Sequence, residues 1–385
     1  MKMPFALVPL IYRVACFVLL LSILLGGMII DASTAQARGV KPSSSASIAG
    51  CPLFPADNIW NYDISKLPVH PNSANFIASI SKTDQLRSYF GATVPGYTPP
   101  GIPYIVVPGT QRNVPVHFTA YGGGSDPGPY PIPSNAPIEG GPKSNNDRHV
   151  IVVNSNTCKL YETWLSYPHS DGSWDAGSGA VWSLNSNNLR PNSWTSADAA
   201  GLPILPGLVR YDEVAAGAIT HALRVVVNRT QSSFLWPARH FASSDSNPNL
   251  PPMGLRLRLK ASFDISSFSP QNRVILTALK HYGLFVADNG PLNWVVSGVP
   301  DKRWNNKDLA LLGRIHGSDF EAVDESALQV APNSGQVKSS GQTPKPTYGR
   351  TSNGTGTSTK LYSQFYSSES MDMVNRRAYL IPGAF

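Results

Sequence analysis

Between residues 51 and 325, apolar and polar residues alternate in short runs separated by clusters of Gly, Pro, Asn and Ser. Runs at 102–107, 114–120, 149–153, 158–165, 180–184, 221–227, 254–260, 284–288 and 294–299 have the two-residue period of extended backbone, whose side chains point alternately to opposite faces. Many short strands and few helices predict a mainly β fold: a single large β-sandwich of jelly-roll type over 51–325, with one or two peripheral helices and long Pro/Gly-rich loops.

One helix carries both of its boundary signals. Ser269 is placed to cap it, Pro270 suits the first helical position, and Gly283 supplies the stop. Val274, Leu276, Ala278, Leu279 and Tyr282 then form an apolar stripe for packing on a sheet. A second, shorter helix is expected over 306–313.

The chain ends break the alternating pattern. Residues 14–30 form an apolar run with Ser22 as the only polar side chain, preceded by Lys2 and Arg13 and followed by Ala35-Gln36-Ala37. This is the charged, apolar and small-x-small order of a cleavable bacterial signal peptide spanning 1–37. It predicts a secreted, extracellular protein that meets a membrane only through that peptide, before cleavage. An uncleaved anchor is the alternative; the lipobox-like residues 48–51 are separated from the apolar run by a Ser-rich stretch. Residues 38–50 read as a flexible leader. Residues 326–360 read as a disordered basic Ser/Thr/Gly/Pro linker, with too little apolar surface to offset its ordering entropy. Residues 361–385 have no assignable period.

Composition narrows the picture. Charged residues make up 14 % of the chain, beside 32 Gly and 34 Pro, which suits strands joined by long loops rather than a helical bundle. A net charge of +7 fits an anionic glycan or wall polymer, whereas nucleic acid is not expected outside the cell. Removing 1–37 takes Cys16 with it and leaves Cys51 and Cys158, which predict one disulfide. The spacings of a zinc site are missing, so neither a metal nor a cofactor is expected. The chain is expected to be a monomer.

Candidate chemistry falls in three groups. If Ser155-Asn156 make a two-residue turn, Val153 pairs with Cys158, Ile151 with Leu160 and His149 with Glu162. Glu162, His149 and Trp164 then share a face with Asp147 just beyond, a carboxylate–imidazole–indole set suited to a sugar ring. The competing expectation is a buried His–Glu pair that fixes the hairpin. The second group is Asp126, Glu139 and Arg148, set among Gly turns; the two acids could equally cap those turns. In the third, Arg256, Arg258 and Lys260 alternate with core leucines, and with His221, Arg224, Trp236, Arg239 and His240 they make a cationic groove or an ordinary solvated face. An Asp245-x-Asn247-x-Asn249 loop would also suit calcium. Together these features point to an enzyme on a carbohydrate polymer, a glycoside hydrolase or polysaccharide lyase. The alternative is a non-catalytic carbohydrate- or cell-wall-binding protein. No family motif is recognised.

Overall fold

A computed structural model describes residues 46–338. The expected signal peptide (1–37), residues 38–45 of the expected leader, residues 339–360 of the expected linker and the segment 361–385 lie outside the described residues. Residues 46–50 do not form a flexible leader: Ile48 pairs with Cys51, and Ala46 and Ile48 are buried.

In chain order the elements begin with β1 (Ser47–Ile48), β2 (Cys51–Pro52), α1 (Ser73–Ser79), β3 (Arg87–Tyr89), β4 (Ile105–Val107) and β5 (Val116–Phe118). Next come β6 (Val150–Asn154), β7 (Lys159–Trp164), β8 (Tyr167–Pro168), β9 (Trp174–Ala176), β10 (Ser178–Ser183) and α2 (Tyr211–Ala216). The chain continues through β11 (Leu223–Val227), β12 (Arg256–Leu259), α3 (Pro270–His281), β13 (Leu284–Asn289), β14 (Val295–Ser297), α4 (Asn306–Leu309) and β15 (Phe320–Ala322). Each of the nine expected runs contains a strand, and the fold is mainly β. Among the described residues no helix is long and apolar enough to cross a membrane.

The strands pair differently from a jelly roll, which is built from antiparallel neighbours. The largest sheet has the order β15-β12-β13-β11-β14-β3, and a second has the order β10-β7-β6-β4. Four pairings are parallel: β11 with β13, β14 with β3, β4 with β6, and β5 with β9. A parallel pair requires a crossover, and α3 lies on the chain between β11 and β13. Ser269 caps α3 by accepting from the Asn272 N–H at 3.1 Å, and Gly283 follows its end at φ +65°. Ile275, Leu276, Ala278 and Leu279 are the apolar side chains it buries, so the stripe is centred on Ile275 rather than Val274.

The hairpin of β6 and β7 departs from the expected register. Val153 pairs with Leu160, Ile151 with Glu162 and Asn154 with Lys159, a shift of two residues. The cause is Asn154, whose side-chain oxygen accepts from the N–H groups of Asn156 and Thr157, both at 3.1 Å. That local turn stretches the connection and leaves Cys158 in it at φ +49°, bonded to Cys51 in the expected disulfide. An even-numbered shift keeps every side chain on its expected face. Ile151, Val153, Leu160 and Trp182 therefore still point into the main core, which they share with Val225, Leu257 and Leu279. Val150 and Val152 face a smaller cluster around Tyr130 and Trp174.

The fold also continues past residue 325. The Val337 N–H donates to Asp57, Lys338 bonds Leu328, and Val337 is buried, so 326–338 belong to the folded domain.

Candidate functional site

Four adjacent strands of the large sheet present one polar face. Ser297 pairs with Tyr89, Val226 with both Val295 and Asp288, and Arg224 donates from Nη1 to Ser297 Oγ at 2.7 Å. Phe285 pairs with Arg224 and Asp288 with Val226, although 285 and 288 would point to opposite faces of a regular strand. A register shift opposite Val225/Val226 inserts one residue and turns Asp288 onto the same face.

A facing wall comes from the chain just before β6. Gly140 and Gly141, both at positive φ, turn the chain directly after Glu139. The Glu139 N–H then bonds the His149 carbonyl at 3.0 Å. Asp147 and His149 flank Arg148, which stands at φ +51°. Between the two walls lies a small pocket of about 30 Å3, lined by Tyr89, Glu139, Asp147, His149, Arg224, Asp288 and Ser297, with Ile102, Val226, Leu292 and Val295 as its apolar part.

His149 is held at both nitrogens. Nδ1 lies 2.5 Å from Glu139 Oε2, and Nε2 lies 3.0 Å from the Ala197 carbonyl, which can only accept. Burial opposes a charge on the ring, but Glu139 overcomes it and lifts His149 to about 9. Burial likewise pushes Glu139 up, yet His149 and the Tyr89 hydroxyl outweigh it and hold the carboxyl below the ordinary range. Asp147 accepts from Trp164 Nε1 at 3.1 Å, and burial together with the nearby Glu139 charge raises its pKa.

On the sheet wall, Arg224 grips Asp198 through Nε (3.1 Å) and Nη2 (3.2 Å), a bidentate pair. Asp288 Oδ2 lies 3.7 Å from Arg224 Nη2. Desolvation, reinforced by the charge of Asp198, pushes Asp288 up to about 7 against the pull of Arg224. The pocket thus combines a proton-holding carboxyl at neutral pH with a fixed imidazole and carboxylate opposite.

The expected site residues separate cleanly. Asp147, His149 and Glu139 come together in the pocket. Glu162 does not: it is fully buried behind the sheet, accepting from Leu205 N (2.8 Å), Ile204 N (3.0 Å) and Trp182 Nε1 (3.2 Å). Its expected partner His149 is bonded to Glu139 instead. Trp164 stands behind Asp147 and positions it, rather than offering a ring to the pocket. Asp126 is paired with Arg190 and accepts from the Val181 N–H at 2.8 Å, which ties a loop to β10. Arg148 turns away to the carbonyls of Pro142, Ser144 and Ser166.

The cationic groove is not formed. Arg256 and Arg258 are buried under residues 59–67 and 320–325: Arg256 donates to Tyr282 O at 2.6 Å and lies over the Phe285 ring, and Arg258 pairs with Glu321 and donates to Ile64 O at 2.6 Å. His221 is fully buried, bonding the Ala222 carbonyl (2.7 Å) and Glu213 (3.2 Å). His240 donates to the Ala199 carbonyl at 2.8 Å, and Trp236 donates to Ser334 O at 2.8 Å. The 245–249 loop closes on itself, with Asn247 N bonding Asp245 and Asn249 N bonding Asn247.

Tyr89, Asp198, Asp288 and Ser297 were not singled out from the sequence. Asp198 interrupts the apolar run Ala197-x-Ala199-Ala200 and Asp288 ends the run Leu284-Phe285-Val286-Ala287, and a charge against such a run is the signal that would have found them. No family model, curated protein or solved structure matches this chain.

Proposed function

We propose that the protein is an exported enzyme that acts on a carbohydrate, with its chemistry in the pocket between the two walls. The observation that carries this reading is Asp288, a half-buried carboxyl that holds its proton up to about pH 7 and shares its pocket with Asp147 and His149. A carboxyl tuned in this way suits protonation of a leaving oxygen, and a second carboxyl across a pocket suits activation of water. A lining that mixes phenol, carboxyl and guanidinium with aliphatic side chains suits a hydroxyl-bearing substituent of a sugar that enters the small opening, rather than a whole ring.

Hydrolysis is favoured over elimination. A lyase acting on uronate needs a cation free to neutralise the substrate carboxylate, but Arg224 is engaged by Asp198, and Arg256 and Arg258 are sealed from the pocket. In this reading Asp288 is the acid and Asp147 the group that activates water. Export through residues 1–37 and a Cys51–Cys158 disulfide fit action outside the cytoplasm.

The test is a panel of neutral and acidic polysaccharides, assayed for new reducing ends and for unsaturated products, with a pH profile on any substrate turned over. The expected profile falls as pH rises through about 7, where Asp288 loses its proton. Unsaturated products would overturn the hydrolytic assignment, and binding without turnover would make this a carbohydrate-binding protein.

A further inference from the structure

We infer that Glu139, Asp147 and His149 form a binding site for one divalent transition-metal ion, of the Zn2+ or Mn2+ kind, on the wall facing Asp288. Their ligand atoms all lie within 4.8 Å of one another, in a pocket that all three line. Glu139 and His149 are almost completely buried, and half-buried Asp147 gives an ion a way in.

The surroundings of the three side chains are those a metal site needs. The Ala197 carbonyl takes the Nε2–H of His149 at 3.0 Å, which aims Nδ1 at the two carboxylates. A ligating imidazole is oriented in this way when its other nitrogen donates to a backbone carbonyl. Trp164 Nε1 holds Asp147 at 3.1 Å, and the Tyr89 hydroxyl bonds Glu139, so both carboxylates have outer partners as well. His149 Nδ1 and Glu139 Oε2 share a direct hydrogen bond of 2.5 Å, and an ion would take the place of the proton between them. With an ion about 2.1 Å from each they open to roughly 3 Å.

One imidazole with two carboxylates selects the ion class. Mg2+ and Ca2+ prefer all-oxygen shells of six or more ligands, whereas Zn2+ and Mn2+ accept a mixed nitrogen–oxygen set with open positions for water. Such an ion would present a polarised water to the pocket. In the hydrolytic reading that water takes over from one activated by free Asp147. The site itself does not depend on that reading, because binding is measured without any substrate.

Full-length mature protein is stripped with a chelator and titrated separately with Zn2+, Mn2+, Mg2+ and Ca2+ by calorimetry, with stoichiometry read by native mass spectrometry. The expected result is one Zn2+ or Mn2+ per chain, a raised melting temperature, and much weaker responses to Mg2+ and Ca2+. Asp147→Asn and Glu139→Gln should each weaken binding by more than the ~10–100-fold typical of losing an outer-shell partner, and Trp164→Phe should fall within that range. Asp147 is half-buried, so its variant is the one to rely on if the Glu139 variant folds poorly. A double His117→Ala/His169→Ala variant removes the exposed histidines that flank Asp175 and should leave binding unchanged. The inference is overturned if the wild type binds no ion, if Asp147→Asn binds as tightly as wild type, or if the surface double variant abolishes binding.

Discussion

Two buried ionic groups lie on neighbouring strands of the large sheet, and they serve different ends. Around Arg224 and Asp288 the charges border a cavity, and several of the side chains keep partial access to solvent. Around Arg256 and Arg258 the guanidinium groups are covered by residues 59–67 and 320–325 and satisfied largely by backbone carbonyls. Glu325, 3.6 Å from Arg256, is pushed by burial up to about 7 and is not among the residues that line the pocket. Perturbed carboxyls therefore occur in both places, and a shifted pKa alone would mark both as sites. What distinguishes the pocket is a small opening beside the shifted group, lined by further titratable side chains.

The comparison can be broken by substitutions on the sealed side that alter pocket chemistry. The largest effect is expected from Arg256→Ala, which strands Glu325 and removes the stack on Phe285. Breaking one partner of a buried pair should cost about 3–5 kcal/mol in chemical denaturation. Metal or substrate binding by the remaining folded protein should be unchanged.

Next in size is the pH dependence set by Glu162. Burial raises its carboxyl from the ordinary 4.5 to about 7, against the pull of the Leu205 and Ile204 N–H groups. Below pH 4.5 the folded and unfolded chains both hold this proton, and the stabilisation is complete. As pH rises through 7 the unfolded state gives up the proton first, so this contribution, on the order of 3 kcal/mol, is lost. Denaturation midpoints between pH 4.5 and 7.5 report it together with Asp288 and Glu325, which titrate in the same window, so the difference between wild type and Glu162→Gln isolates it. Glu162→Gln should flatten that slope and cost about 1–3 kcal/mol, because its amide N–H2 meets the Trp182 indole donor. The smallest effect is expected from Trp236→Phe, which frees the Ser334 carbonyl: roughly 0.5–1.5 kcal/mol, with earlier proteolysis near 331–338.

Much of the fold was legible because its signals are local. Strand periodicity, the Ser269 cap and the Gly283 stop each depend on a few adjacent residues. Facing was legible too, and it survived the error in hairpin register because Asn154 shifted the pairing by an even number. Solvent exposure was not legible. Alternation places Arg256 and Arg258 opposite the core leucines, but it cannot reveal that chain from 59–67 and 320–325 covers that second face. The site was half legible: Glu139, Asp147 and His149 lie within eleven positions of one another, whereas Tyr89, Arg224, Asp288 and Ser297 converge only through strand order and Asp198 reaches them from a loop through Arg224. Glu162 illustrates the opposite error, a carboxylate on the correct face that holds backbone N–H groups within the core.

Asp288→Asn tests the central claim most directly, because a carboxyl that keeps its proton near neutral pH can be replaced by a neutral amide with little effect on the fold. On a polysaccharide turned over by the wild type, the variant should lose at least ~100-fold in kcat while its melting temperature moves by no more than about 4 °C. Turnover within a few-fold of wild type, measured on protein with an unchanged melt, would contradict the account and show that this pocket is not where the chemistry occurs.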